Sequence, residues 1–230
     1  MAEADGAPEQ AAGQEPAPLT FYFASGSPFS WKVWLALEHK ELPYVPWQMS
    51  LDAGDLRAPA YAAINPHRQV PVIVDDGFTL YESAAIVEYL EDRYPRRGEP
   101  LWPAAPRERA LARRLAAEAD NSVFPPVDLL MRAHLGGAGP DADADRQARA
   151  TLAAALDIVA RGVIGPFAAG ALPSAADFAL YPMLALLLRI DARAPQAALA
   201  ALVPERLRTW MNIVAALPYY ERTYPPHWRA

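Results

Sequence analysis

Glu82 and Ser83 stand where a strand-like run ends and an amphipathic stretch begins. A helix starting there offers unpaired N–H groups and a partial positive charge, a seat for a carboxylate, with Glu82 beside it to pair an ammonium. The plainer use of either residue is to cap the helix over 82–94, and the two uses are compatible. Upstream, Val70-Pro71 opens the apolar run VPVIV, which reads as a core strand. Proline there forfeits a ladder hydrogen bond and so needs a reason, the simplest being an edge strand with a trans X-Pro bond. Other chemistry is closed to this chain. It has no cysteine, which excludes a protein thiolate nucleophile, a disulfide framework and a Cys-ligated zinc. His39, His67, His134 and His227 stand too far apart for metal-ligand spacing, and no metal is expected.

The elements that must position these residues follow from composition and period. The chain has 230 residues, 53% hydrophobic and 21% charged, enough to bury a core in one or two domains. No apolar run approaches the ~20 residues of a membrane-spanning helix, and no membrane partner is expected. Net charge −6 and pI near 5.2 argue against nonspecific nucleic-acid binding. The charge is uneven: residues 1–18 carry four acids and no base, 19–95 sum to −5, and 96–230 to +3, which puts a boundary near residue 95. The small, acidic, Pro-rich segment 1–18 has nothing large to bury and reads as a disordered tail. It shows neither the basic start nor the apolar stretch of a secretory signal, so a cytoplasmic protein is expected.

From residue 19 the hydrophobic period alternates. LTFYF (19–23) reads as a strand, 31–41 as a helix with Val33, Trp34 and Leu37 at helical spacing, and 42–51 as a strand weakened by Pro46. A short helix over 55–64 is interrupted by Pro59. Residues 70–81 read as two strands joined across Asp76-Gly77, a two-residue hairpin signal, before the helix over 82–94. The order is β-α-β-α-β-β-α over 19–95. A Pro- and Gly-containing linker follows over 96–105. Residues 106–230 read as all-helical, with helices over 107–135, 144–162, 174–190 and 204–216. Ser174 and Asp177 form a capping-box-like start to the third of these.

Three stretches together resemble the cytosolic glutathione transferases: Ser27-Pro-Phe-Ser-Trp-Lys-Val, then Asn65-Pro-His-Arg-Gln-Val-Pro71-Val-Ile, then Leu80-Tyr-Glu82-Ser83-Ala-Ala-Ile. In this order and spacing they are highly specific, and the Ser174–Asp177 box resembles the family's C-domain signature. The resemblance spans 19 to about 217. It implies an α/β thioredoxin-like N-terminal domain, an all-α C-terminal domain, a homodimer, and glutathione as co-substrate in detoxification. It implies that the Val70-Pro71 bond is cis and that the main chain of Val70 holds the cysteinyl backbone of glutathione. Ser83 then takes the γ-glutamyl carboxylate, Glu82 its ammonium, Gln69 the peptide backbone, and His67 or Arg68 the glycyl carboxylate.

In this family a Tyr, Ser or Cys after the first strand hydrogen-bonds the glutathione sulfur. Cys is absent and Tyr22 lies within the strand, which leaves Ser25, Ser27 and Ser30. Serine-type members, bacterial zeta-, theta- and phi-like ones among them, place the hydroxyl six residues before the helix valine, and counting back from Val33 gives Ser27. The zeta-like pattern has Ser-Ser-Cys where Pro28-Phe29 stand here, which counts against the cis-trans isomerisation of that class. An electrophile pocket is expected between the domains, near Phe29, Arg113, Asp120 and Phe124. The reading is a serine-type transferase adding glutathione thiolate to a small hydrophobic electrophile. Peroxide reduction, aryl-ether cleavage, isomerisation and a noncatalytic glutathione-binding role on the same fold are the alternatives.

Overall fold

Alternation in LTFYF puts Leu19, Phe21 and Phe23 on one buried face, and this run forms β1 (Leu19–Phe23). The computed structural model describes residues 18–137 and 139–229, so the expected disordered tail lies, Pro18 apart, outside the described residues. After β1 come α1 (Pro28–His39), β2 (Tyr44–Gln48), α2 (Pro59–Ile64), β3 (Val72–Asp75), β4 (Phe78–Tyr81) and α3 (Ser83–Arg93), the order expected. The strands lie β2-β1-β3-β4, with β1 parallel to β2 and antiparallel to β3, a thioredoxin-like sheet. Pro46 falls on the edge strand β2, opposite Phe21, where its missing N–H is tolerated. Asp76 and Gly77 have φ of 49° and 79°, the paired left-handed conformation of a type I′ turn, which the Asp-Gly signal predicts.

Pro71 does not sit in the ladder. β3 begins at Val72, so the proline forfeits no strand hydrogen bond, and the Val70-Pro71 peptide is cis. The reading of a proline inside a core strand, and the trans edge-strand alternative with it, are both corrected.

α1 is buried on nearly every side because it lies between the sheet and the C-terminal helices. Trp34 packs on Phe21 and Phe23 of β1. On the opposite flank Trp31 sits among Tyr181, Tyr220, Tyr224 and Trp228, and its indole N–H donates to Thr223 Oγ1 at 2.9 Å. The segment between α3 and the helices is pinned rather than free. Gly98 has φ of 48°, and a Cβ there would stand 2.4 Å from His39 O, so only glycine fits.

The helical half comprises α4 (Pro106–Glu118), α5 (Phe124–Leu135), α6 (Ala142–Gly162), α7 (Ala175–Arg193), α8 (Glu205–Ala215) and the short α9 (Tyr220–Thr223). The single helix expected over 107–135 is two helices joined by a π-helical turn, Ala119–Val123. Its cause is in the sequence: Pro125 and Pro126 lack the N–H groups a regular ladder needs, and the wider turn absorbs the mismatch. Among the described residues no helix is long and apolar enough to cross a membrane.

Asp177 ties the start of α7 together. Fully buried, it accepts from the Ser174 amide (2.9 Å) and hydroxyl (3.1 Å), the Ala168 amide (2.7 Å) and the Trp210 indole (2.8 Å). Burial pushes its carboxyl above the usual acid range, and these donors pull the other way. Asp177→Ala strands these four donors at about 1 kcal/mol each, the low end for a stranded group because water can enter the space the carboxylate leaves, so we expect a loss of about 3–5 kcal/mol. At ~2–4 °C per kcal/mol for a chain of this size, differential scanning calorimetry should show Tm falling by about 6–20 °C.

Candidate functional site

The loop ahead of β3 is held from below. Asn65, 2% exposed, donates from Nδ2 to the Gln69 carbonyl at 2.8 Å, and Tyr61 donates to the same carbonyl at 2.7 Å. Burial, then the nearby Tyr22, push the Tyr61 hydroxyl upward, so it remains a donor through the neutral range. Asn65 Oδ1 also accepts the His67 amide, and its main-chain carbonyl the Arg68 amide, with Arg68 left-handed at φ 55°. With Gln69 fixed this way, Val70 stands half-buried just before the cis peptide bond to Pro71. No main-chain hydrogen bond to Val70 is found among the described residues.

Across the cleft, Glu82 has φ of 70°, a left-handed value costly for a residue with a Cβ. That sharp corner aims the first amides of α3 at the opening. No side chain caps this helix end, so the plain capping use of Glu82 and Ser83 does not apply. Ser83 is buried, and its Oγ accepts from Lys32 Nζ at 3.1 Å. Lys32 in turn donates to Asp120 at 2.6 and 2.7 Å. Burial lowers the ammonium pKa of Lys32, and the Asp120 carboxylate opposes that. The π-helical turn is what carries Asp120 to this point.

These elements enclose a cleft of about 900 Å³. Of the residues singled out from sequence, Arg68, Gln69, Val70, Pro71, Glu82, Ser83, Phe29, Arg113, Asp120 and Phe124 line it. Phe29 and Phe124 meet edge to face at 4.6 Å, an apolar wall spanning the two halves. Arg113 is bound twice by Glu88, at 3.0 and 2.8 Å, so its charge is spent on joining α4 to α3. His67 and Ser27 are not on the lining. His67 is exposed and meets Tyr81 edge to face at 5.5 Å. Ser27 caps α1, its Oγ accepting the Ser30 amide at 3.3 Å, next to Phe29 on the lining. Ser25 is engaged by His227 Nδ1 at 3.0 Å, and buried Ser30 accepts the Ala24 amide. Sequence reasoning missed Lys32, Asn65 and Tyr61. Lys32 and Asn65 lay inside the quoted motifs, and only burial marks them out. No group of three or more His, Asp or Glu that would hold a metal is found among the described residues.

The family description "Glutathione S-transferase, N-terminal domain" matches residues 21–100. Glutathione S-transferase 3 of Zea mays is 32% identical over 214 residues, 90% of this chain and 93% of that protein. The chain belongs to the glutathione S-transferase family. The maleylacetoacetate isomerase of Pseudomonas aeruginosa is 38% identical over 108 residues, so the chain spans half the length of that relative. A glutathione S-transferase structure from the Antarctic clam Laternula elliptica superposes with TM-score 0.77 at 25% identity, covering 93% of this chain and 94% of the other. Like the clam structure, the chain pairs a thioredoxin-like sheet with a helical half.

Removing either prop of the Gln69 carbonyl tests the loop. Asn65→Ala and Tyr61→Phe should each lose about 1–2 kcal/mol in urea unfolding. The double variant should lose more than their sum, since the carbonyl then has neither donor.

Proposed function

We propose that this glutathione S-transferase is a serine-type enzyme that holds glutathione along Val70 and Ser83 and directs its thiolate at a small apolar electrophile. One observation carries the reading: Val70, whose main chain has no hydrogen-bond partner among the described residues, the uncapped start of α3 and the Phe29–Phe124 wall line one cleft. A cysteinyl backbone paired with Val70 extends the sheet by two hydrogen bonds, and the γ-glutamyl carboxylate meets Ser83 and the first amides of α3. The sulfur then lies toward the start of α1.

Ser27 supplies the hydroxyl. Its oxygen already accepts the Ser30 amide, which polarises the O–H toward a sulfur, whereas Ser25 and Ser30 are engaged elsewhere. A thiol of pKa about 8.5 is only a few per cent ionised at pH 7, and lowering it by about two units, ~2.7 kcal/mol, raises thiolate about thirtyfold. A charge-assisted hydrogen bond of ~1.5–3 kcal/mol covers that. The electrophile's alignment beside the sulfur supplies the remainder.

A second reading, glutathione-dependent cis-trans isomerisation, is favoured by the Pseudomonas aeruginosa relative. Assays with a chlorodinitrobenzene and with maleylacetoacetate separate the two, and turnover of the second alone would replace the first reading. Titration calorimetry should give a glutathione Kd between micromolar and millimolar, about −4 to −8 kcal/mol, and absence of heat at millimolar ligand would exclude the site. Ser27→Ala should keep that affinity within a few-fold while thiolate absorbance of the bound tripeptide shifts to higher pH. A shift in Ser25→Ala instead would move the assignment.

The transferase is read as a homodimer. Exposed apolar side chains stand on both halves, Trp47 at 57% on β2 and Leu129 at 58% on α5, and residues 19–95 and 96–230 carry opposite charge. Exposed ion pairs contribute only ~0–1 kcal/mol each, so apolar burial must supply the affinity. Sedimentation equilibrium should give the dimer mass at micromolar concentration and ordinary salt.

A further inference from the structure

Lys32 is the charge in this cleft that the reading above leaves unused. Its side chain is 3% exposed, yet it lines the cleft and its ammonium reaches Ser83 Oγ at 3.1 Å. A buried ammonium is costly, and an apolar residue in its place is often as stable or better, so its retention asks for a role. The other buried lysine shows what a purely structural pair looks like. Lys40 is held by Glu91, which also accepts the Leu101 amide, away from the cleft. Asp120 is different. Among the described residues its side-chain oxygens accept only from Lys32, its side chain is 21% exposed, and it stands on the π-helical turn facing the cleft.

We infer that Lys32 is a specificity-determining residue whose ammonium recognises the α-carboxylate of the γ-glutamyl group, with Asp120 as the resident counter-ion it exchanges. The inference rests on the reading that the cleft takes glutathione. A ligand carboxylate bonded to Ser83 lies within reach of the ammonium that already donates to that hydroxyl. It presents the same group that Asp120 presents in the free protein, so Lys32 trades one carboxylate for another without losing its charge partner. Asp120, released, swings to the exposed side of the cleft. Because Lys32 is on α1 and Asp120 on the turn between α4 and α5, occupation of the γ-glutamyl seat changes the tie between the two halves beside the Phe29–Phe124 wall. No bond is made or broken and no proton moves.

The test compares two ligands in each protein by calorimetry: glutathione, and γ-aminobutyryl-cysteinylglycine, the same tripeptide without the α-carboxylate. Wild type should bind the second at least tenfold more weakly. Lys32→Gln keeps a polar side chain but not the charge, and should narrow the ratio between the two at least fivefold, the remainder coming from Ser83 and the first amides of α3. Lys32→Arg should regain discrimination. Because the ratio is taken within one protein, partial loss of stability does not move it. A ratio in Lys32→Gln unchanged from wild type would overturn the assignment, as would equal binding of the two ligands by wild type. Failure of wild type to bind glutathione at all would instead overturn the reading of the cleft.

Discussion

Burial of α1 on both flanks is the constraint on which the other features depend. Trp34 packs down on the sheet through Phe21 and Phe23, and Trp31 inserts on the other side into the cage of Tyr181, Tyr220, Tyr224 and Trp228. A helix clamped this way cannot shift along its axis without opening a cavity on one side or overpacking the other. Ser27 caps this helix and its first two turns carry Phe29 and Lys32, so the packing that joins the halves also sets the capping hydroxyl, the apolar wall and the buried charge. Core packing rather than a dedicated loop fixes these side chains.

The cleft combines apolar area with paired charge. Arg113 and Glu88 form a bidentate pair on its lining, Lys32 and Asp120 a second pair, and Phe29 and Phe124 an apolar contact across the two halves. Under the serine-type reading, the low polarity of that wall would make a hydrogen bond to an anionic sulfur worth more than in water. The backbone lining the cleft takes left-handed values at Arg68 and Glu82. Asn65 and Tyr61 hold the first of these corners in place from beneath.

Much of this architecture is local and was legible. Alternation in LTFYF, the Asp76-Gly77 turn, the Ser174–Asp177 box and the apolar stripe of α3 each depend on a few neighbouring residues whose backbone preferences agree with the fold. Motif spacing led to Val70, Ser83 and Gln69, and all three line the cleft. Where local rules met a nonlocal demand, the reading slipped. The run 107–135 carries helical periodicity throughout, and the consequence of Pro125-Pro126, a π-helical turn that moves Asp120 into the cleft, takes shape only against α1.

The sequence alone determined the order of elements, the turn chemistry and the set of residue types at the cleft, because these follow from intervals of two to seven residues along the chain. Tertiary structure decided which side chains lose their water. Lys32 is one lysine among solvated charges until α1 is covered from both sides, and then it is a buried ammonium with one exchangeable partner. His67 passes for a ligand-facing cation in sequence, yet the loop that Asn65 shapes leaves it exposed on Tyr81. Burial and pairing are sums over distant segments, and a linear spacing rule has no access to them.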